Sequence, residues 1–187
     1  MSCSGDVHLI LCDGCTLTAN LGIAVNTDDS LTIYGQSKGT GRINATSAGK
    51  RYKYLYDETA AIGGNSEKHC GRVTINGGNI YADCGESRGA AIGGGYGGSA
   101  TVVINGGNIE AVTANDGCAI GGGDCGGYVT INGGTVNATG GAGDYYSFSA
   151  GIGSYWRSES TRTHAYTAVI CIAERSLTFF PAVLLPR

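Results

Sequence analysis

The sequence predicts an all-β protein, a right-handed parallel β-helix (solenoid) of about five coils with three short strands in each. Three observations predict it. Three apolar words recur in fixed order along the chain. Within each word the end positions are apolar or small while the middle varies, the period of two expected of a strand with one buried face. Glycine is abundant, 34 of 187 residues, and proline is rare, at 2. That combination excludes collagen, which needs proline as well as a strict third-residue glycine.

The first word is Leu9-Ile10-Leu11, then Leu31-Thr32-Ile33, Val73-Thr74-Ile75, Val102-Val103-Ile104 and Val129-Thr130-Ile131. Its starts lie 22, 42, 29 and 27 residues apart. The second word is Leu17-Thr18-Ala19, then Ile43-Asn44-Ala45, Ile80-Tyr81-Ala82, Ile109-Glu110-Ala111 and Val136-Asn137-Ala138. The third runs Ile23-Ala24-Val25, Ala61-Ile62-Gly63-Gly64, Ala91-Ile92-Gly93-Gly94-Gly95, Ala119-Ile120-Gly121-Gly122-Gly123 and Gly151-Ile152-Gly153-Ser154. A unit with three short strands that recurs in this way is one coil of a solenoid. A propeller blade would need four antiparallel strands, and a leucine-rich repeat a different Leu and Asn spacing. Parallel connections are overwhelmingly right-handed, which sets the expected hand.

Stacking coils at about 4.8 Å places like on like and gives a rod about 24 Å long. Ile23, Ile62, Ile92, Ile120 and Ile152 are expected to form one interior ladder. Ala19, Ala45, Ala82, Ala111 and Ala138 are expected to form a second, near a corner. Val73, Val102 and Val129 are expected to continue a row begun by Leu9 and Leu31. Asn-Gly-Gly at 76–78, 105–107 and 132–134 supplies the bend between words one and two, because Gly and Asn accept positive φ. The three asparagines have the spacing of an amide ladder. Glycine after the third word leaves room where neighbouring coils approach.

The β-helix is expected over residues 6–154, with a non-repeat tail over 155–187. The tail contains the apolar run Thr167 to Ala173 and reads either as a cap added by strand pairing or as a poorly ordered segment. The near-absence of a cap before Val7 points to a piece of a longer chain. Met1 to Gly5 lacks the basic start and apolar core of a secretory leader. No run approaches the roughly 18 apolar residues of a membrane-spanning helix. Charged residues at 14% against 42% hydrophobic exclude a disordered chain, and a net charge of −3 gives no nucleic-acid footprint.

Several motifs invite chemistry. Asn26-Thr27-Asp28-Asp29 resembles the Asn-Thr-Asp element of pectin-degrading polygalacturonases, which are themselves right-handed β-helices. Those enzymes also need a second Asp pair, a Gly-His-Gly and an Arg-x-Lys, and none follows here. Glycoside hydrolysis needs two converging carboxylates about 5 to 9.5 Å apart, which adjacent turn residues do not supply. The stretch is expected to be a polar turn before Leu31. Gly121-Gly122-Gly123-Asp124 is similar to calcium-binding nonapeptides, but the nine-residue period is missing. No catalytic residue, no metal site and no cofactor are expected. Calcium is the one ion that Asp83, Glu86 and Asp116, placed at one corner, could help to hold. The eight cysteines include Cys12-x2-Cys15, whose Asp13-Gly14 reads as a turn rather than as half of a zinc site. The outward row Thr32, Thr74, Val103, Thr130 is interrupted, unlike a regular ice-binding array.

What does not repeat is more informative. Two insertions, Thr46 to Thr59 and Thr139 to Ser149, lie between words two and three, at one corner, three coils apart and so about 14 Å along the rod. They are rich in aromatic residues. Tyr52, Tyr54, Tyr56, Tyr145, Tyr146 and Phe148, with Tyr155 and Trp156 beyond the last coil, are the candidate ligand-binding residues. Flat rings with polar edges suit sugar stacking, and the same rings could instead close the loops over the rod.

The words Ala-Ile-Gly-Gly-Gly and Val-Thr-Ile-Asn-Gly-Gly-Thr-Val-x-Ala, with Leu9 to Thr18 and Ser30 to Ser37 before them, carry a resemblance. The pattern resembles the repeat regions of large, uncharacterised secreted or cell-surface proteins of anaerobic gut Firmicutes, and covers about residues 6 to 154. Such proteins are described as adhesin-like or carbohydrate-binding. The resemblance implies a bacterial, extracellular or surface location, polysaccharide or host glycan as partner, and neighbouring modules of a longer chain, without membrane insertion or nucleic-acid binding. A non-catalytic scaffold is the expected role. A polysaccharide-active enzyme of the pectin lyase or polygalacturonase kind, and a purely structural repeat, are the alternatives.

Overall fold

The computed structural model describes residues 1–47, 58–114, 116–123, 125–141, 147–153, 156–157 and 169–172. Coil one comprises β1 (Asp6–Leu11), β2 (Thr16–Ala19) and β3 (Ile23–Ala24). Coil two comprises β4 (Ser30–Gly35), β5 (Arg42–Thr46) and β6 (Ile62–Gly63). Coil three follows with β7 (Arg72–Ile75), β8 (Asn79–Asp83) and β9 (Ile92–Gly93), and coil four with β10 (Ala100–Ile104), β11 (Asn108–Val112) and β12 (Ile120–Gly121). Coil five has β13 (Gly127–Ile131), β14 (Thr135–Thr139), a short β15 (Ser147–Phe148) and β16 (Ile152–Gly153). Beyond it lie β17 (Trp156–Arg157) and β18 (Val169–Ile172).

The strands assemble into three parallel sheets, each taking one strand from every coil. The first sheet runs β1-β4-β7-β10-β13-β18, the second β2-β5-β8-β11-β14, the third β3-β6-β9-β12-β16. This is an all-β parallel β-helix of about five coils, as the repeated words predict. The first sheet also gains a sixth strand from beyond residue 154, since Val169–Ile172 pairs in parallel with Tyr128–Ile131. Trp156–Arg157 instead pairs antiparallel with Ser147–Phe148. That arrangement has no signature in the repeat.

The register carries the predicted ladders. Ile23, Ile62, Ile92, Ile120 and Ile152 are successive partners in the third sheet, and the first four are fully buried. Ala19, Ala45, Ala82, Ala111 and Ala138 are successive partners in the second. Fully burying each isoleucine contributes about 1.5 to 3 kcal/mol. The first sheet corrects one expectation. The row of Leu31 and Val73 begins at Val7, which pairs with Leu31, not at Leu9, and Leu9 joins the row of Ile33, Ile75, Ile104 and Ile131. A slip of two residues keeps the same face inward, so apolar patterning alone cannot tell these registers apart.

The two kinds of glycine have separate duties. In Asn-Gly-Gly only the second glycine takes positive φ, at 94°, 99° and 92° for Gly78, Gly107 and Gly134. The asparagines are absent from the positive-φ residues, contrary to expectation. Their side chains do form the amide ladder. Asn105 Nδ2 donates to Asn76 Oδ1 and Asn132 Nδ2 to Asn105 Oδ1, both at 2.7 Å. Within the third word, Gly63, Gly93 and Gly121 have φ of 144°, 142° and 136°. A Cβ on each would overlap the carbonyl oxygen of the equivalent glycine one coil on.

Candidate binding surface

The corner between the second and third sheets roots both insertions. On the near side of the first, Ser47 N donates to Asp83 O at 2.9 Å. On the far side, Glu58 O accepts from Tyr96 N at 2.9 Å and Thr59 O from Ser87 Oγ at 2.8 Å. The second insertion leaves β14 where Thr113 N bonds Thr139 O at 3.0 Å and Gly141 N bonds Thr113 Oγ1 at 2.8 Å. It returns where Ala119 N bonds Ala150 O at 3.2 Å. Each root is therefore stitched to the neighbouring coil, as the spacing of the words requires.

Tyr52, Tyr54, Tyr56, Tyr145, Tyr146 and Tyr155 lie outside the described residues. Of Phe148 and Trp156 the backbone is placed, and the two face each other as register partners in the antiparallel β15–β17 pair. The structure brings these two positions together although seven residues separate them in the chain.

At Glu58, the far root of the first insertion, sits a charged cluster that sequence reading missed. Arg88 Nη1 lies 3.8 Å from Glu58 Oε1, and Arg88 Nε 3.6 Å from Asp116 Oδ2. The guanidinium carbon stands 5.5 Å from the centre of the Tyr96 ring, within cation–π range. Glu58 also accepts a 2.9 Å bond from Ser66 Oγ. Glu58, Arg88, Tyr96 and Asp116 come from three successive coils, so the cluster ties them laterally. Its signal in the sequence is a column of alternating charge, since Glu58, Arg88 and Asp116 each stand four residues before a ladder isoleucine.

The acidic residues considered for calcium are engaged elsewhere. Asp116 faces Arg88, and Asp83 accepts from Gly85 N at 2.8 Å and from Tyr81 Oη at 3.3 Å. Among the described residues no three His, Cys, Asp or Glu side chains converge on a common point. Asn26 to Asp29 forms a turn closed by a 2.8 Å bond from Asp29 N to Asn26 O, and Asp29 Oδ1 accepts from Gly5 N at 2.8 Å. His69 Nδ1 accepts from the backbone N–H of Ser99 at 3.0 Å, which places its proton on Nε2, and Ser99 Oγ lies 3.0 Å from the same nitrogen.

Among the described residues Cys3, Cys12, Cys15, Cys70, Cys84 and Cys118 are free thiols. Cys70, Cys84 and Cys118 are buried. Desolvation pushes the Cys70 and Cys84 thiols up to about 12 and raises that of Cys118 further. Such thiols are poor nucleophiles and poor metal ligands, since both roles need the thiolate. Cys12 and Cys15 are exposed, and Cys15 N donates to Cys12 O at 3.1 Å across the Asp13-Gly14 turn.

These features define a class: a glycine-rich β-helix solenoid whose variation is gathered at one corner. A comparison with protein families agrees. The beta helix repeat model matches residues 73–96, 102–124 and 129–154. Those stretches are the third, fourth and fifth coils, each from the inward valine of its first-sheet strand to the end of its third word or one residue beyond, so the chain contains a β-helix repeat region. Neither the comparison with curated proteins nor that with solved structures finds a match.

Proposed function

We propose that the chain is a non-catalytic module of a secreted or cell-surface bacterial protein, in which the β-helix is a scaffold and the two corner insertions contact glycans. The observation that carries the reading is the rooting of both insertions on one corner of a regular rod. The repeat residues are occupied with stacking, so recognition falls to what departs from it. Connecting segments held by a rigid scaffold are where binding residues concentrate. The insertions also hold five of the chain's 11 tyrosines, Tyr52, Tyr54, Tyr56, Tyr145 and Tyr146. Resemblance of the repeat words to adhesin-like surface proteins supports the location and the ligand class.

The test is a glycan array probed with the parent chain and with a variant carrying Tyr52→Ala, Tyr54→Ala, Tyr145→Ala and Tyr146→Ala. Binding by the parent and loss in the variant are expected. Undiminished binding by the variant would remove the aromatic corner from the account. Release of reducing ends or unsaturated products from polygalacturonate would replace the scaffold reading with an enzymatic one.

A further inference from the structure

The outward face of the second sheet is built unlike that of the first. Register partners set two outward columns across it: Thr16, Arg42, Asn79, Asn108 and Thr135, and beside them Thr18, Asn44, Tyr81, Glu110 and Asn137. The central outward column of the first sheet is His8, Thr32, Thr74, Val103 and Thr130, mostly β-branched residues that suit a strand. Asparagine is depleted in strands, yet Asn44, Asn79, Asn108 and Asn137 all occupy strand positions of the second sheet.

One of the four has a structural duty. Asn79 Nδ2 donates to Gly39 O at 2.7 Å and to Gly41 O at 3.3 Å, tying down the preceding turn. Asn44, Asn108 and Asn137, with Arg42 and Glu110, make no side-chain hydrogen bond to another described residue. Breaking a local propensity rule without a compensating contact is the mark of a position kept for something other than the fold.

A groove of about 130 Å³ opens across this face, lined by Arg42, Asn79, Tyr81, Asn108, Glu110 and Asn137. Tyr81 is half-buried and its hydroxyl points toward Asp83 Oδ2 at 3.3 Å. Burial, and then the Asp83 and Glu110 charges, raise the Tyr81 hydroxyl above its usual value, so the ring stays neutral at physiological pH.

We propose that this groove binds a neutral linear oligosaccharide lying along the rod, with a sugar ring on Tyr81 and its hydroxyls bonded by Glu110, Asn108 and Asn137. The proposal rests on the glycan reading above and gives it a second surface, next to the corner that roots the insertions. Amides supply both donors and acceptors, and the carboxylate supplies acceptors, which is the mixed pattern a set of hydroxyls requires. Arg42 and Glu110 oppose each other in charge, so neither an anionic nor a cationic ligand gains from the groove as a whole. The spacing of successive coils, about 4.8 Å, is close to the length of one pyranose unit in an extended chain, so consecutive sugars meet equivalent positions on consecutive coils. A peptide would lack its usual route onto a sheet, because strand addition needs a free edge and this is a face.

Affinity electrophoresis in gels cast with xylan, mannan, mixed-linkage β-glucan or polygalacturonate tests it. Retardation of the parent chain by at least one of the three neutral polysaccharides is expected. Tyr81→Ala and Glu110→Ala should each weaken the apparent affinity by about tenfold, the equivalent of one lost ring contact or charged hydrogen bond. Tyr81→Phe, which keeps the ring, should retain retardation, and the thermal midpoints of all three variants should stay near the parent's. Retardation by polygalacturonate alone overturns the neutral ligand class. Retardation that survives Tyr81→Ala and Glu110→Ala but is lost on changing Tyr52, Tyr54, Tyr145 and Tyr146 overturns the groove and leaves the aromatic corner standing. No retardation in any gel, with an empty glycan array, overturns both.

Discussion

Replacing Gly93 by alanine should cost far more stability than the same change at Gly97, although both glycines have positive φ. Gly97 has φ 72°, and an added Cβ would meet nothing nearer than Glu67 Cα at 3.9 Å. Its cost is the left-handed backbone alone, about 1 to 2 kcal/mol. Gly93 has φ 142°, a region that residues with a Cβ rarely enter, at a cost of about 1 to 3 kcal/mol. Its Cβ would also overlap the Gly121 carbonyl oxygen. That oxygen accepts the 2.9 Å bond from Gly94 N, and Ile92 N donates at 2.9 Å to Ala119 O just before it. Moving the coils apart to make room loosens both bonds, and each buried group left unpaired costs about 1 to 3 kcal/mol. The sum for Gly93→Ala is about 4 kcal/mol or more, against at most about 2 for Gly97→Ala. Equilibrium urea unfolding followed by far-ultraviolet circular dichroism measures both. Recovery of Gly93→Ala only as aggregate, beside a folded Gly97→Ala, agrees with the reasoning. Stabilities of the two variants within about 0.5 kcal/mol of each other would refute it, because positive φ alone would then account for the glycines.

Two further outcomes are expected. Ile92→Asp places a carboxylate in the middle of the fully buried isoleucine ladder and should unfold the chain or lower its thermal midpoint sharply; a midpoint within about 2 °C of the parent would reject the ladder. Stability should also fall in alkali. The Cys70 and Cys84 thiols ionise near 9.0 when unfolded and near 12 when folded, so between those values the folded chain holds more protons. Their contribution is fully present below about pH 9 and is lost as the pH rises toward 12, and Cys84→Ala should flatten that slope in a pH series of urea midpoints; an unchanged slope would reject the raised thiol value.

The ladders and the amide stack were legible because each depends on one residue type recurring at one place. Stacking makes a sequence repeat and a spatial row the same thing, so Ile23 to Ile152 could be read from the alignment of words alone. Coil one was misaligned by two residues because Val7, Leu9 and Leu11 are all apolar, and turn geometry rather than hydrophobicity chooses among them. Strand addition by the Thr167 to Ala173 run was one of the two readings of the tail, and Val169–Ile172 does extend the first sheet; the β15–β17 pair was not assigned because it has no counterpart in another coil. The Arg88 cluster was hidden for a different reason: Glu58, Arg88 and Asp116 each stand four residues before a ladder isoleucine, but that column alternates in charge instead of repeating one residue type. On the second sheet, the variable middle of the second word looked like tolerance. It became informative once register placed Asn44, Tyr81, Glu110 and Asn137 in one column.

The parallel register of the second sheet makes the rod a ruler with discrete marks. The two insertions leave from β5 and β14, with β8 and β11 between them. Their separation along the axis is three intervals of about 4.8 Å. Duplicating or deleting one coil between them would move the loops apart or together by one interval while leaving each root chemically unchanged. Reach between two contact points can therefore change by copying a coil of DNA-encoded repeat, with no new side chain at either end.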